Sequence, residues 1–184
     1  MSDPERVFGP NGAMEALLEA KDAGKIRYIG FTGHKSPEIH LKMIQTAFDH
    51  GFSFDTVQMP LNVIDAHFES FEKKVLPVLL KHGIGVIGMK PLGNGRIPSS
   101  GVVTAQECLQ YAMSLPVSVI VTGIDSNSIL NQALSVAEGF KPMSDEERSI
   151  LLAKTSGLDN KGSYELYKTT LIHDSTTTHP ERLG

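Results

Sequence analysis

The stretch GMKPLGNGRI, Gly88 to Ile97, places a lysine and an arginine around a glycine-rich bend at the end of an apolar run. Gly93 and Gly95 lack a Cβ and let backbone N–H groups approach an anion, while Arg96 adds positive charge, so the pattern suits a phosphate or pyrophosphate. Lys90, read as buried at the mouth of the run, offers a second chemistry: an ammonium in an apolar pocket can lose its proton and attack a carbonyl as a Schiff base. A tight surface turn with a solvated arginine is the plainer reading of the same ten residues. The single cysteine, Cys108, lies in a helical pattern and reads as a small buried apolar side chain rather than a reactive thiol. His40, His50, His67 and His82 show no ligand-pair spacing, and neither HExxH nor CxxC occurs, which argues against a metal site.

These residues need elements to hold them, and the chain supplies an alternating rhythm. Its 184 residues suit a single core-bearing domain over 1–184, with 156–184 read as an extended C-terminal tail. Hydrophobic residues at 40% and charged residues at 21% are those of a globular chain, and a net charge of -4 gives no footprint for nucleic acid or anionic membrane. No apolar run reaches the roughly 18 residues of a membrane span, and the start MSDPERVFGP has no export pattern, so the expected location is cytoplasmic. Helical patterns over 12–23, 37–50, 69–82 (kinked at Pro77), 104–115, 126–138 and 144–154 alternate with apolar, β-branched runs at 26–31, 54–59, 85–90 and 116–121. Ser36-Pro37 and the Ser144…Glu147 capping box mark helix starts, and Gly24, Gly51 and Gly83 mark helix ends. Strands separated by helices predict right-handed βαβ units and a parallel sheet with both faces covered. No GxGxxG follows a strand, which weakens an open dinucleotide-binding sheet. A closed (β/α)₈ barrel takes roughly 250 residues. Four βα units therefore read as part of such a barrel.

RYIGFTGH (27–34), TVQMP (56–60), MKPLG (89–93) and VTGIDSNSILNQA (121–133) end successive units in that order. Together they resemble the second half of the aldo-keto reductases, (β/α)₈ oxidoreductases that use NADP or NAD. The tail segments YELYKTT and HPERLG resemble the C-terminus of a bacterial branch, so the likeness runs from about Val7 to Gly184. It implies an α/β fold, a partial TIM barrel with strands corresponding to the fifth to eighth of the family, plus a C-terminal helix and tail. Loops after the last two strands of such barrels commonly hold phosphate, which favours the anion reading of Lys90, Leu92, Gly93, Gly95 and Arg96.

The resemblance also assigns cofactor positions. Thr32 matches a hydroxyl that contacts the nicotinamide carboxamide; Gly33 stands where many members have asparagine, and His34 follows at the strand end. Gln58 matches the glutamine that offers the carboxamide both donor and acceptor. Met89 replaces the usual stacking tyrosine and keeps only a polarizable sulfur. Gly123, Asp125, Ser126 and Asn127 cover the loop and helix start at the adenosine end, with Asp125 expected to cap the helix, and Gln132 takes the place of an acid facing adenine. No basic residue near Ser126 selects a 2′-phosphate, so NADP is favoured over NAD only by family habit.

Carbonyl reduction requires a proton donor, which the family draws from a tyrosine, lysine, aspartate and histidine on its first barrel half. Of Tyr28, Tyr111, Tyr164 and Tyr167, none falls at a strand end where that acid belongs. No catalytic residue is assigned. The expectation is a cofactor cradle without its acid, inactive alone as a carbonyl reductase, from a truncated product, a deliberate half-barrel or a split protein. Two unpaired edges would then favour a homo-oligomer or a complementary N-terminal half-barrel. A non-catalytic nucleotide-binding or partner module and a Lys90 Schiff-base lyase are the competing functions. Asn62–Phe68 and Asp159–His173 are the expected substrate-pocket loops, for a small-molecule carbonyl substrate.

Overall fold

The ladder begins where β-branched runs meet in register. In the computed structural model, which describes residues 3–158 and 161–172, four parallel strands form one sheet in the order β1 (Gly30–Thr32), β2 (Thr56–Pro60), β3 (Gly85–Met89), β4 (Val119–Ile120). Helices α1 (Asp3–Phe8) and α2 (Ala13–Asp22) precede β1, and α3 (Pro37–Asp49) joins β1 to β2. α4 (Phe71–Lys74) and α5 (Leu76–Lys81) lead to β3. α6 (Arg96–Ser99) and α7 (Ala105–Ser114) lead to β4, and α8 (Asn127–Glu138), α9 (Asp145–Thr155) and α10 (Leu166–Thr169) follow it among the described residues.

Helix starts follow the sequence closely. Ser36 accepts from Glu38 N ahead of Pro37, and Ser144 and Thr104 each form a full capping box. Gly24, Gly51 and Gly83 all take positive φ just past a helix end. The expected helix over 69–82 is broken at Val75, because Pro77 has no N–H for the carbonyl four residues back and sits in the first turn of α5 instead. Helices α1, α6 and α10 have six residues or fewer, too short for periodicity to reveal.

The edge strands are shorter than the apolar runs that form them. β1 pairs with β2 only through Gly30↔Thr56, Phe31↔Val57 and Thr32↔Gln58. Before that point the Ile29 amide bonds the Asp55 carboxylate at 2.8 Å, so a side chain takes over from the ladder. β4 is held by Ser118 N to Val86 O and Val121 N to Gly88 O, both at 2.8 Å.

Alternation along the strands divides the sheet. Val57, Met59 and Val86 are fully buried and join Ile44 and Ala47 of α3, Leu76 and Leu79 of α5, and Cys108 and Tyr111 of α7 in one core. Their neighbours Thr56, Gln58, Ile87 and Met89 are half-buried, Thr32 is exposed, and Val119 and Val121 are 51% and 45% exposed. Helices cover one face only, so the expectation of two covered faces does not hold among the described residues. The sheet is an open section of an α/β barrel. α8 lies beside α7 but buries no side chain fully.

Close approach of β1 to β2 demands glycine at position 30, where an added Cβ would lie 2.3 Å from Thr56 Oγ1 and 2.6 Å from Thr56 O. Gly30→Ala should therefore lower unfolding stability by about 1–3 kcal/mol in a urea titration. An unchanged midpoint would mean that β1 is not held at this distance.

Candidate functional site

The chemistry-bearing residues meet at the C-terminal rim of the sheet. A cleft of about 650 Å³ opens beyond β2, β3 and β4, lined by Gln58, Met89, Lys90, Leu92, Gly95, Gly123 and Asp125 among the sequence-derived candidates. Its size falls within the usual range for small-molecule sites. Pro91, Asn94, Val121, Thr122, Ile124 and Ile129 line it as well and escaped the sequence reading. Ile129 belongs to the first turn of α8 and the others to the loops after β3 and β4, where no sequence pattern separates lining from ordinary loop.

The remaining candidates lie around this cleft rather than in its wall. Thr32 is the register partner of Gln58 on the open face. Gly33 is pinned from behind: an added Cβ would stand 2.7 Å from His40 Cε1, so the asparagine common at this position in the resembled family has no room unless His40 moves. His40 itself is buried, and its Nε2 lies 3.3 Å from Gln58 O, which can only accept. Burial holds the His40 pKa below its ordinary value against the backbone hydrogen bonds to Gln58 and Ser36, which favours the neutral ring. His34 is half-buried, its ring edge-on to Tyr167 at 5.7 Å between centroids. Gly93 is buried, and a Cβ there would press on Ile97 and lie 3.1 Å from Tyr164 O. Arg96 opens onto a separate polar depression with Ser99, Gly157, Leu158, Ser163 and Tyr164. Asn127 is exposed at the start of α8 and Gln132 half-buried along it. Ser126, not Asp125, caps that helix by accepting from Ile129 N at 3.3 Å, and Asp125 is instead an exposed residue of the cleft rim.

The loop after β3 is built from unusual backbone. Lys90 and Asn94 both have φ 58°, and Gly93 and Gly95 have φ 54° and 82°. For the two non-glycine residues this conformation costs about 1 kcal/mol or more each, so surrounding contacts must hold it. The Gly93 and Gly95 amides donate to Lys90 O at 3.0 Å and Leu92 O at 2.9 Å. They close the loop's own turns instead of facing outward. Lys90 is half-buried rather than buried, with Nζ donating to Asn94 Oδ1 at 2.9 Å and standing 5.8 Å from the Tyr167 ring centre. A hydrogen-bonded, partly solvated ammonium lacks the apolar surroundings that a Schiff-base lysine needs.

Beneath this loop lies a buried ionic cluster. Lys168 donates to Asp65 Oδ1 at 2.6 Å and to Phe68 O at 2.8 Å, and pairs with Glu165 Oε2 at 2.7 Å. Glu165 Oε1 accepts from Tyr167 Oη at 2.6 Å and Asn62 Nδ2 at 3.0 Å, and Asn62 Nδ2 reaches Lys90 O at 3.2 Å. Asp65 also accepts from the Phe71 and Glu72 amides at the start of α4. One ammonium thus faces two carboxylates with almost no side-chain surface exposed. Asn62 and Asp65 belong to this cluster rather than to a substrate loop. Asp159, Asn160, His173 and the HPERLG tail lie outside the described residues. The signal for the cluster in sequence was slight: Glu165 and Lys168 one helical turn apart in a tyrosine-containing segment.

No tyrosine opens into the cleft as an acid. Tyr167 is 1% exposed and donates to Glu165; burial beside that carboxylate raises its pKa well above the ordinary phenol value. Tyr111 is likewise raised by burial and donates to Glu72 at 2.7 Å, while Tyr28 is 67% exposed. Cys108 is inert, its thiol pushed up to about 12 by burial. Among the described residues no group of three or more His, Cys, Asp or Glu side chains could hold a metal ion, and no helix is long and apolar enough to cross a membrane.

With the rim in view, the relatives are informative. The sequence model of the aldo/keto reductase family matches residues 2–102, more than half of the chain. The chain belongs to the aldo/keto reductase family. The match takes in β1, β2, β3 and the loop after β3; the segment 121–133 lies beyond it. Two proteins of Schizosaccharomyces pombe, both named as candidate aryl-alcohol dehydrogenases, are 25% identical over 128 residues. Those matches cover 69% of this chain and 35% and 38% of the relatives, so the chain spans about a third of their length. An aldo-keto reductase from Bacillus halodurans shares the fold: its holo form superposes with a TM-score of 0.60 at 18% identity, covering 78% of this chain and 55% of that one. Its apo form gives 0.61 at 18% identity, covering 80% and 58%.

The two-carboxylate cluster makes a pH prediction. Burial, with Glu165 adding to it, pushes the Asp65 carboxyl up to about 7 against the pull of Lys168. Native protein then holds a proton that the unfolded chain releases near pH 4, so this group's stability contribution falls as pH rises from about 4 to about 7. His40 acts oppositely, losing stability as pH falls below its unfolded value. Glu165→Gln leaves His40 untouched, so subtracting its denaturation curves from those of the parent chain isolates the cluster. The parent curve should fall more steeply between pH 4 and 7 than that of the variant. Parallel curves would contradict the account.

Proposed function

We propose that this chain provides the dinucleotide-holding part of an oxidoreductase site, with a nicotinamide cofactor lying in the rim cleft. The observation that carries the reading is the meeting of Gln58, Met89, Lys90, Gly123 and Asp125 in one wall at the C-terminal ends of parallel strands. A bound reduced nicotinamide supplies hydride for a small-molecule carbonyl. The chain's own part is to bind and orient. The Gln58 amide presents donor and acceptor to a carboxamide, its backbone steadied by His40. Met89 offers an apolar, polarizable surface to a ring. Lys90, with its ammonium on Asn94, supplies the positive charge of the lining.

The residues fit a dinucleotide without an additional phosphate better than one with it. Asp125 is the charged side chain in the β4 loop and would repel a 2′-phosphate, whereas a carboxylate suits a ribose hydroxyl. NAD is therefore the favoured cofactor and NADP the alternative. No tyrosine is among the cleft-lining residues to serve as the acid, so the 184-residue chain by itself should bind cofactor without reducing aldehydes at ordinary enzyme rates. The open strand edges and the half-exposed face provide the place for a second copy or a complementary half-barrel.

Titration of the pure chain with NADH and with NADPH, followed by cofactor fluorescence, tests this reading. NADH should bind more tightly, and Gln58→Leu should weaken it about tenfold, roughly 1.4 kcal/mol. Tighter NADPH binding would reverse the cofactor assignment, and no saturable binding of either would end the dinucleotide reading. Light scattering at micromolar concentration should give a mass above the monomer; a monodisperse monomer would show that the edges are self-sufficient.

A further inference from the structure

The loop after β3, which lines the cleft, is braced from outside the cleft by a segment that no strand supplies. We propose that the C-terminal segment Tyr164–Lys168 is a clasp that sets the conformation of the Lys90–Gly95 loop, with Glu165 and Tyr167 as positioning residues acting through Asn62. Three contacts converge on that loop from the segment. Glu165 Oε1 gathers Tyr167 Oη and Asn62 Nδ2, and the same Asn62 nitrogen donates to Lys90 O. Tyr164 O lies against Gly93, close enough that an added Cβ would stand 3.1 Å away. The Tyr167 ring faces the Lys90 ammonium at 5.8 Å.

The loop needs such support because two of its non-glycine residues, Lys90 and Asn94, hold positive φ. Lys90 O is the pivot: it accepts from Gly93 N within the loop and from Asn62 outside it. Asn62 can donate in that direction because its Oδ1 is anchored by the Ile64 and Asp65 amides at 2.8 and 2.9 Å. Its nitrogen is then aimed between Lys90 O and Glu165. The clasp is fastened at its far end by Lys168, held by Asp65 and the Phe68 carbonyl. A segment that begins 69 residues downstream of the loop thereby fixes where Lys90, Leu92 and Gly95 stand in the cleft.

The link to cofactor rests on the reading under Proposed function; the positional claim does not. Amide hydrogen exchange at Gly93, Gly95, Arg96 and Ile97, whose N–H groups close the loop, reports its conformation without ligand. Glu165→Ala removes the shared acceptor and should speed exchange at those four amides at least tenfold. Val57 and Val86 in the core strands should change far less. Glu165→Gln keeps an oxygen for Asn62 and Tyr167 and should restore most of the protection. If Glu165→Ala fails to fold, Tyr167→Phe keeps the ring and removes the two hydrogen bonds of its hydroxyl, to Glu165 and from Asn62, and should give about a threefold acceleration confined to the loop. Loop exchange that is unchanged, or that rises in step with Val57 and Val86, overturns the clasp. Parallel NADH titrations separate the two ideas: with binding intact in the parent chain, Glu165→Ala should weaken it about tenfold. A parent chain that binds no dinucleotide defeats the functional reading, while the exchange data still decide the clasp.

Discussion

Parallel register is the constraint on which the rest of this molecule depends. Once Val57 pairs with Val86 and Gln58 with Ile87, side chains of equal height alternate together between the helix-covered core and the open face. All four strands run the same way, so every loop that leaves a strand end does so at one rim. Residues separated by more than 60 positions, such as Gln58 and Gly123, consequently share one cleft wall. A slip of one residue in β2 would exchange Gln58 for Val57 or Met59 of the core, at the expense of both core and cleft.

The second constraint is electrostatic. Lys168 and its two carboxylates are removed from water, where separate charges are expensive, and they persist because nearly every acceptor and donor is matched. The Lys168 ammonium faces three acceptors, and Asp65 also takes two amides from the first turn of α4. This arrangement joins the β2 loop, the start of α4 and the C-terminal segment in one network. Substituting Lys168 leaves two buried carboxylates without their cation, so its effects travel farther than its size suggests.

Much of the framework was legible from local rules. Ser36-Pro37, the Ser144…Glu147 box and the glycines at 24, 51 and 83 fixed helix limits because capping chemistry is local. The apolar β-branched runs located all four strands, and their alternation with helices gave the parallel sheet. Strand lengths were harder to read, because an edge strand extends only as far as its partner: the Asp55 carboxylate takes the Ile29 amide and β1 begins only at Gly30. The ionic cluster was hidden for a different reason. Lys168 and Asp65 are 103 residues apart, and nothing near either one reveals the other. Lys90 shows the same limit on a smaller scale: its place after an apolar strand suggested burial, but its positive φ turns the side chain toward Asn94.

The family membership and the rim geometry together make the cleft the centre of this account. Chemical-shift mapping of the backbone amides during addition of NADH tests it most directly. The account predicts the largest changes at Gln58, Met89, Lys90, Gly95, Gly123 and Asp125, with the helix-covered core unaffected. Changes concentrated on the α7–α8 surface, or spread evenly over the chain, would contradict it.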